Sequence, residues 1–233
     1  MSELDVGAGS GAEAGADMDI EMLGEDVALF EAMRTARAIR RLRSDPVPNA
    51  LIRKVCEAGT FAPSGGNRQP WIFVAVTEAE RRAWIAERYR ARFRRYIEPA
   101  LAQAEADPEF PEAKIRNMRA ALHLADHLHE APVHLFVAGW MRRGETQIQA
   151  LFPAIQNILL ACRGVGLGAS LTTVHLADGP EIDAYLGLSP ATPSCALLPI
   201  GWPLGRHGRP PRAPVDEKLY FERVPEGAIA PRR

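Results

Sequence analysis

Residues 62–76 read APSGGNRQPWIFVAV. The first ten hold two prolines, two glycines, a serine, an asparagine and a glutamine, and the last six are an unbroken apolar run. A helix-like segment, LIRKVCEAGTFA at 51–62, leads in, so the chain passes from helix through loop into strand. A continuous apolar strand, rather than an alternating one, implies a sheet covered on both faces. The loop has two readings. It is turn chemistry alone, or it holds a ligand. In the second case Ser64 and the amides of Asn67 and Gln69 bond the edges of a planar heterocycle, while Gly65 and Gly66 admit a close backbone approach. Ser64 does not stand in a GxSxG elbow, which leaves nucleophilic serine hydrolysis with little support.

Apolar runs of the same kind recur at 132–139 (PVHLFVAG), 169–174 (ASLTTV) and 194–202 (SCALLPIGW), and these predict three further strands. Helical spacing marks 26–36, with Asp26 as its cap, and a helix started by Pro48 that runs to about residue 60. A long polar helix is expected over 78–106 and another over 111–130. An apolar helix covers 152–165, and DGPEIDAYLGL supplies a short one after Asp178. Helices alternating with short buried strands argue for an α+β (α/β layered) domain. No strand opens the chain as a Rossmann unit requires.

With 233 residues, 47% of them hydrophobic, the chain can bury a core as one domain over 25–233. A net charge of −1 gives no reason to expect nucleic acid or an anionic membrane as partner. Cys56, Cys162 and Cys195 are odd in number and each sits in an apolar run, against a disulfide framework or zinc site and in favour of a reducing, cytoplasmic setting. Residues 1–24 are acidic and rich in glycine and alanine, with neither the basic nor the apolar region of a signal peptide; a disordered tail is expected there. No apolar run approaches the ~20 residues that span a bilayer.

Several other motifs carry chemistry or imitate it. Arg37, Arg40, Arg41 and Arg43 crowd TARAIRRLRSDPVP, which reads either as a solvated basic turn or as a bidentate phosphate site. A second basic segment, GWPLGRHGRPPRAP, brings Arg206, Arg209 and Arg212 into a proline-rich arm over about 203–233. The run GVGLG at 164–168 follows a helix and precedes a strand, the reverse of a dinucleotide fingerprint, and reads as a helix cap and close-packed strand entry. His123 and His127 lie i,i+4 beside Asp126 and His129, but no glutamate completes HExxH, so a solvated helix face is the reading and no metal is expected. The basic, aromatic RRAWIAERYRARFRRYIE reads as a surface helix rather than a nucleic-acid contact. In the arm, LYFERV reaches outward, which points to wrapping around a partner subunit.

Taken in order, these segments resemble the nitroreductase family of FMN-dependent oxidoreductases from about residue 27 to about 223. The RRSxR-type opening corresponds to Arg37, Ala38 and Arg40. The APSxxNxQPW loop, the most specific motif, is matched by Ala62, Pro63, Ser64, Asn67, Gln69, Pro70 and Trp71. The helix before a GLG strand entry corresponds to 157–168, and the closing GYPxx…RxP to 201–203 and 212–214.

The resemblance implies a central mixed sheet flanked by helices in an intertwined homodimer, with FMN at the subunit interface. Arg37, Arg40, Arg206 and Arg212 would meet the phosphate and ribityl chain. Pro63, Ser64, Gly65 and Asn67 would lie at the isoalloxazine edge facing the partner, and Gly166, Leu167 and Gly168 across the ring near N5. It also implies ping-pong hydride transfer from NADH or NADPH through the flavin to a small electron-poor acceptor, a nitroaromatic, quinone or activated alkene. No catalytic side chain is then needed, because the flavin carries the chemistry. The alternative is a flavin-binding, flavin-modifying or dehalogenating relative without nitroreductase activity. Three departures stand out: Ala38 replaces the serine of RRSxR, Arg209 stands where close relatives often carry proline, and 78–130 forms a longer helical insertion than a minimal member has.

Overall fold

The computed structural model describes residues 20, 22–24, 26–140, 147–226 and 228. Most of the acidic stretch expected to be a disordered tail lies outside the described residues. At its end Ile20 and Leu23 pack, half-buried, against the core.

Three of the four expected strands form where the apolar runs lie: β1 (Trp71–Val76), β2 (Val133–Gly139) and, after a two-residue β3 (Gly168–Ala169), β4 (Ser194–Gly201). Every residue of β2 and β4 is buried, as unbroken apolar runs require when side chains alternate between two covered faces. Val133, Leu135 and Val137 share one core with α2 (Asn49–Thr60) and α5 (Phe152–Gly164), through Leu51, Val55, Ile155 and Ile158. Phe136 and Leu197 belong to the opposite core, against Ile85 and Tyr89 of α3 (Ala79–Ala106) and Leu124 of α4 (Glu112–His127). The short α6 (Gly179–Tyr185) adds Ile182 to that layer, and α1 (Leu29–Thr35) rests on α5. The result is an α+β sandwich of helices around a sheet.

The sheet order is β1-β2-β4-β3, and each pairing among the described residues is antiparallel, where a mixed sheet was expected. The third strand is also shorter than 169–174. Beyond Ala169 only Thr172 bridges to Leu197, because the Thr172 hydroxyl accepts the N–H of Val174 (3.4 Å) and turns the chain into a 3-10 segment. The first helix starts at Leu29, not Asp26, and no side chain caps it. The helix expected to run to 130 ends at His127, followed by a single 3-10 turn.

The inserted α3 is fastened to the segment after β3. Trp84 stacks on Tyr185 at 3.9 Å, Arg88 pairs with Glu181 at 2.8 Å, Arg92 pairs with Asp178, and the Tyr89 and Thr172 hydroxyls are 2.9 Å apart. Much of the basic face of α3 is thus engaged in ion pairs. Among the described residues no group of three or more His, Cys, Asp or Glu is placed to hold a metal, and no helix is long and apolar enough to cross a membrane.

Candidate functional site

The arginine-bearing segment after α1 is extended and is knitted to both the sheet and the arm. Ile39 N–H donates to Ala169 (2.9 Å), Arg43 N–H to Trp202 (2.7 Å), and Leu204 N–H to Arg41 (3.0 Å). Gly168 makes this approach possible, since a Cβ there would lie 2.7 Å from Ile39 and 2.9 Å from Leu42. The start and end of the chain are therefore brought together over the C-terminal end of α5.

A cavity of about 340 Å³ opens at that junction. Three guanidinium-bearing side chains line it from three parts of the chain: Arg37 from the extended segment, Arg163 from α5 and Arg212 from the arm. Among the described residues no carboxylate does. Arg163 is oriented by a 2.7 Å bond from its Nε to the Thr35 hydroxyl, which itself donates to the Glu31 carbonyl at 2.6 Å. Two further lining side chains carry buried polar atoms with no partner: the Ser170 hydroxyl, on a residue only 3% exposed, and both ring nitrogens of His207. Burial, followed by the positive charge of Arg163, pushes the His207 imidazole below its usual pKa; the nearby Leu167 backbone opposes this and Arg37 adds to it. Unpaired buried polar atoms cost free energy. Their concentration beside three cations gives the cavity the chemistry to hold a polar, anionic ligand.

The expected site residues divide accordingly. Arg37, Ala38, Leu167 and Arg212 line the cavity. Arg40 does not; it interacts electrostatically with Tyr89 on the α3 side, and its own burial lowers its pKa. Arg206 is exposed, and Arg209 pairs with Glu31 at 3.4 Å. Gly166 takes a φ of +80° as the left-handed cap of α5, with Leu167 N–H reaching back to Cys162 at 2.8 Å. Gly168 faces Ile39 and Leu42 rather than open space.

The 62–71 loop stands apart from this cavity. Pro63, Gly65 and Asn67 are exposed and Ser64 half-exposed. The Ser64 hydroxyl accepts the Gln69 N–H at 3.0 Å, and the Gln69 amide donates to the Asn67 side-chain oxygen at 3.2 Å. Asn67 (φ +51°) and Gln69 (φ +48°) are both left-handed, a conformation that costs roughly 1–2 kcal/mol per residue. Exposed strain of this kind is typical of a ligand clamp held by its own side-chain bonds.

Sequence reasoning missed Arg163, Ser170 and His207. The one available signal was a lone arginine closing an otherwise apolar helix, in ILLACRG at 158–164.

Known proteins share the fold of this chain. The model of the Nitroreductase family matches residues 33–202. The 5,6-dimethylbenzimidazole synthase of Rhodospirillum rubrum is 32% identical over 178 residues, covering 75% of this chain and 81% of that protein. The NADH dehydrogenase of Thermus thermophilus is 30% identical over 213 residues, covering 81% and 90%. Among solved structures, oxidized iodotyrosine deiodinase bound to FMN and 3-iodo-L-tyrosine superposes with a TM-score of 0.68 at 20% identity, over 84% of this chain and 100% of that one. The FMN and NADPH-dependent nitroreductase NfnB from sphigopyxis sp. gives 0.64 at 23% identity, over 85% and 100%. At such identities these two structures speak for the fold alone.

Proposed function

Because the chain belongs to the nitroreductase family, we propose that it is an FMN-dependent oxidoreductase. It would pass hydride from NADH or NADPH to a small electron-poor acceptor (nitroaromatic, quinone or activated alkene) in a ping-pong cycle. The observation that carries this reading is the cavity at the junction of chain start, α5 and arm. Three arginines with no carboxylate among them suit a phosphate dianion. The idle Ser170 hydroxyl and the amide of Gln156, which lines the same cavity, suit the hydroxyls of a ribityl chain. The residues present therefore fit FMN.

Bound there, FMN supplies the hydride relay between nicotinamide and acceptor. Arg37 and Arg212 hold the phosphate; Arg40 and Arg206, also named by the resemblance, stand outside the cavity and act on it at most from a distance. Leu167, between Gly166 and Gly168, forms its floor. Pro63, Ser64, Gly65 and Asn67 meet the ring edge from a second subunit, a proposal supported by the fact that none of them lines the cavity of its own chain. A homodimer is also favoured by exposed apolar side chains: Leu29, Phe30 and Met33 on α1, and Leu219 and Phe221 on the arm. A groove of about 790 Å³ bounded by Ile20, Leu23, Gly24 and Val27 with α1, α2 and α5, its walls mainly apolar but carrying Arg53 and Glu57, offers a seat for a partner.

The test begins with the visible spectrum of the purified protein, followed by stopped-flow reduction with NADH and with NADPH. A flavin spectrum lost in Arg37→Ala and in Asn67→Ala supports the assignment, and retention in both overturns it. A second reading rests on relatives that are not nitroreductases by name, a 5,6-dimethylbenzimidazole synthase at 32% identity and an iodotyrosine deiodinase of Daphnia pulex at 27%: a flavin-binding, flavin-modifying or dehalogenating protein without nitroreductase activity. Bound flavin that no nitro or quinone acceptor reoxidises at the expense of NAD(P)H favours this second reading.

A further inference from the structure

We propose that His207 takes up a proton when the cavity takes its ligand, so that a phosphate dianion settling among Arg37, Arg163 and Arg212 binds together with a proton on the imidazole. The inference rests on the FMN reading and assigns two residues, Arg163 and His207, that the family motifs do not supply.

The argument is one of donors and acceptors. Both ring nitrogens of His207 are buried and neither makes a hydrogen bond of good geometry, though the Leu167 backbone lies close enough to favour an N–H on one of them. A neutral imidazole has one N–H and one bare nitrogen, and the bare one can only accept. Phosphate oxygens in the dianion also only accept, so a neutral ring offers such a ligand one useful contact and one lone-pair mismatch. Protonation turns both nitrogens into donors and removes the mismatch.

The electrostatics agree in sign. With no ligand, burial and the charges of Arg163 and Arg37 keep the ring neutral. Among the described residues, the charged groups that line the cavity around it are Arg37 on the extended segment, Arg163 on α5 and Arg212 on its own arm, with no carboxylate. The nearby Glu31 is engaged by Arg209. A dianion is thus the negative charge that this surrounding lacks. Arg163 is ready for it: its Nε is held by Thr35, which leaves its terminal N–H groups for the cavity.

Calorimetric titration of the apoprotein with FMN at pH 7.5, in two buffers of different ionisation enthalpy, reads the proton uptake directly. A phosphate monoester has its second pKa near about 6, so the ligand is already mostly dianionic at that pH. A measurable fraction of a proton should be taken up per FMN by the wild type and none by His207→Gln. Riboflavin, which lacks the phosphate, should bind without uptake. Arg163→Gln should weaken FMN about tenfold or more and leave riboflavin affinity unchanged. Equal uptake with FMN and riboflavin overturns the proposal, and so does FMN binding by the wild type with none; both are read on the wild type and do not depend on a variant folding. In either case the FMN reading survives. Wild-type apoprotein that binds no FMN ends both.

Discussion

Two buried imidazoles make the acid stability of the protein a residue-scale question. Ser194 Oγ donates to Asp183 at 2.5 Å, so it must accept from His175 Nε2–H at 3.1 Å, and this fixes the His175 tautomer with Nδ1 bare and unpartnered. His134 is held similarly, Nε2 to the Leu128 carbonyl at 2.8 Å, with Nδ1 again unpartnered. Burial pushes each pKa down to about 4 from 6.5. A folded pKa below the unfolded one means that the unfolded chain binds more protons in that window. Stability is therefore full above pH 6.5 and falls as the pH drops toward 4, by about 1.4 kcal/mol per pH unit for each imidazole. Urea midpoints between pH 7.5 and 4.5 should follow that slope, and His134→Gln, which keeps a donor for Leu128, should reduce it by about half.

At the scale of elements, the loop and the strand entry lend themselves to separation of folding from binding. Asn67 sits at φ +51°, where glycine is at ease. Asn67→Gly should leave the protein as stable or raise its stability by up to about 1 kcal/mol, while lowering flavin retention through loss of the amide. A fall in both would mean that the asparagine serves the turn alone. Gly168→Ala should instead lower stability and flavin retention together: its Cβ meets Ile39 at 2.7 Å, so the Arg37 segment must shift, at a cost of about 1–3 kcal/mol that thermal melting would record. These elements also mark what a reader of the sequence can and cannot see. β2 and β4 are legible because their apolar runs are buried on both faces, and β1 because it carries the same kind of run although it lies half-buried at the sheet edge. The end of β3 is not, because one threonine hydroxyl diverts it. Arg37 and Arg212 are legible from their motifs. Arg163, Ser170 and His207 become a site only when three distant segments converge, and no local pattern announces that.

The whole molecule raises the question of which chain completes which site. Within one chain, the cavity with Arg37 and the loop with Asn67 are separate features, and the arm ends in exposed Val215, Leu219 and Phe221. Truncation after Pro214, which keeps Arg212, should give a monomer by sedimentation and release the flavin. A sharper measurement uses two defective proteins. Arg37→Ala and Asn67→Ala, each expected to lose flavin as a homodimer, are co-expressed so that subunits mix. In a two-fold dimer whose sites combine the cavity of one chain with the loop of the other, each mixed dimer has one doubly defective site and one intact site. Random mixing then restores flavin to roughly a quarter of all sites. If cavity and loop act within one chain, every site in every dimer carries a lesion and no flavin returns. Recovery of flavin on mixing therefore establishes the shared site, and its absence places the whole site within a single chain.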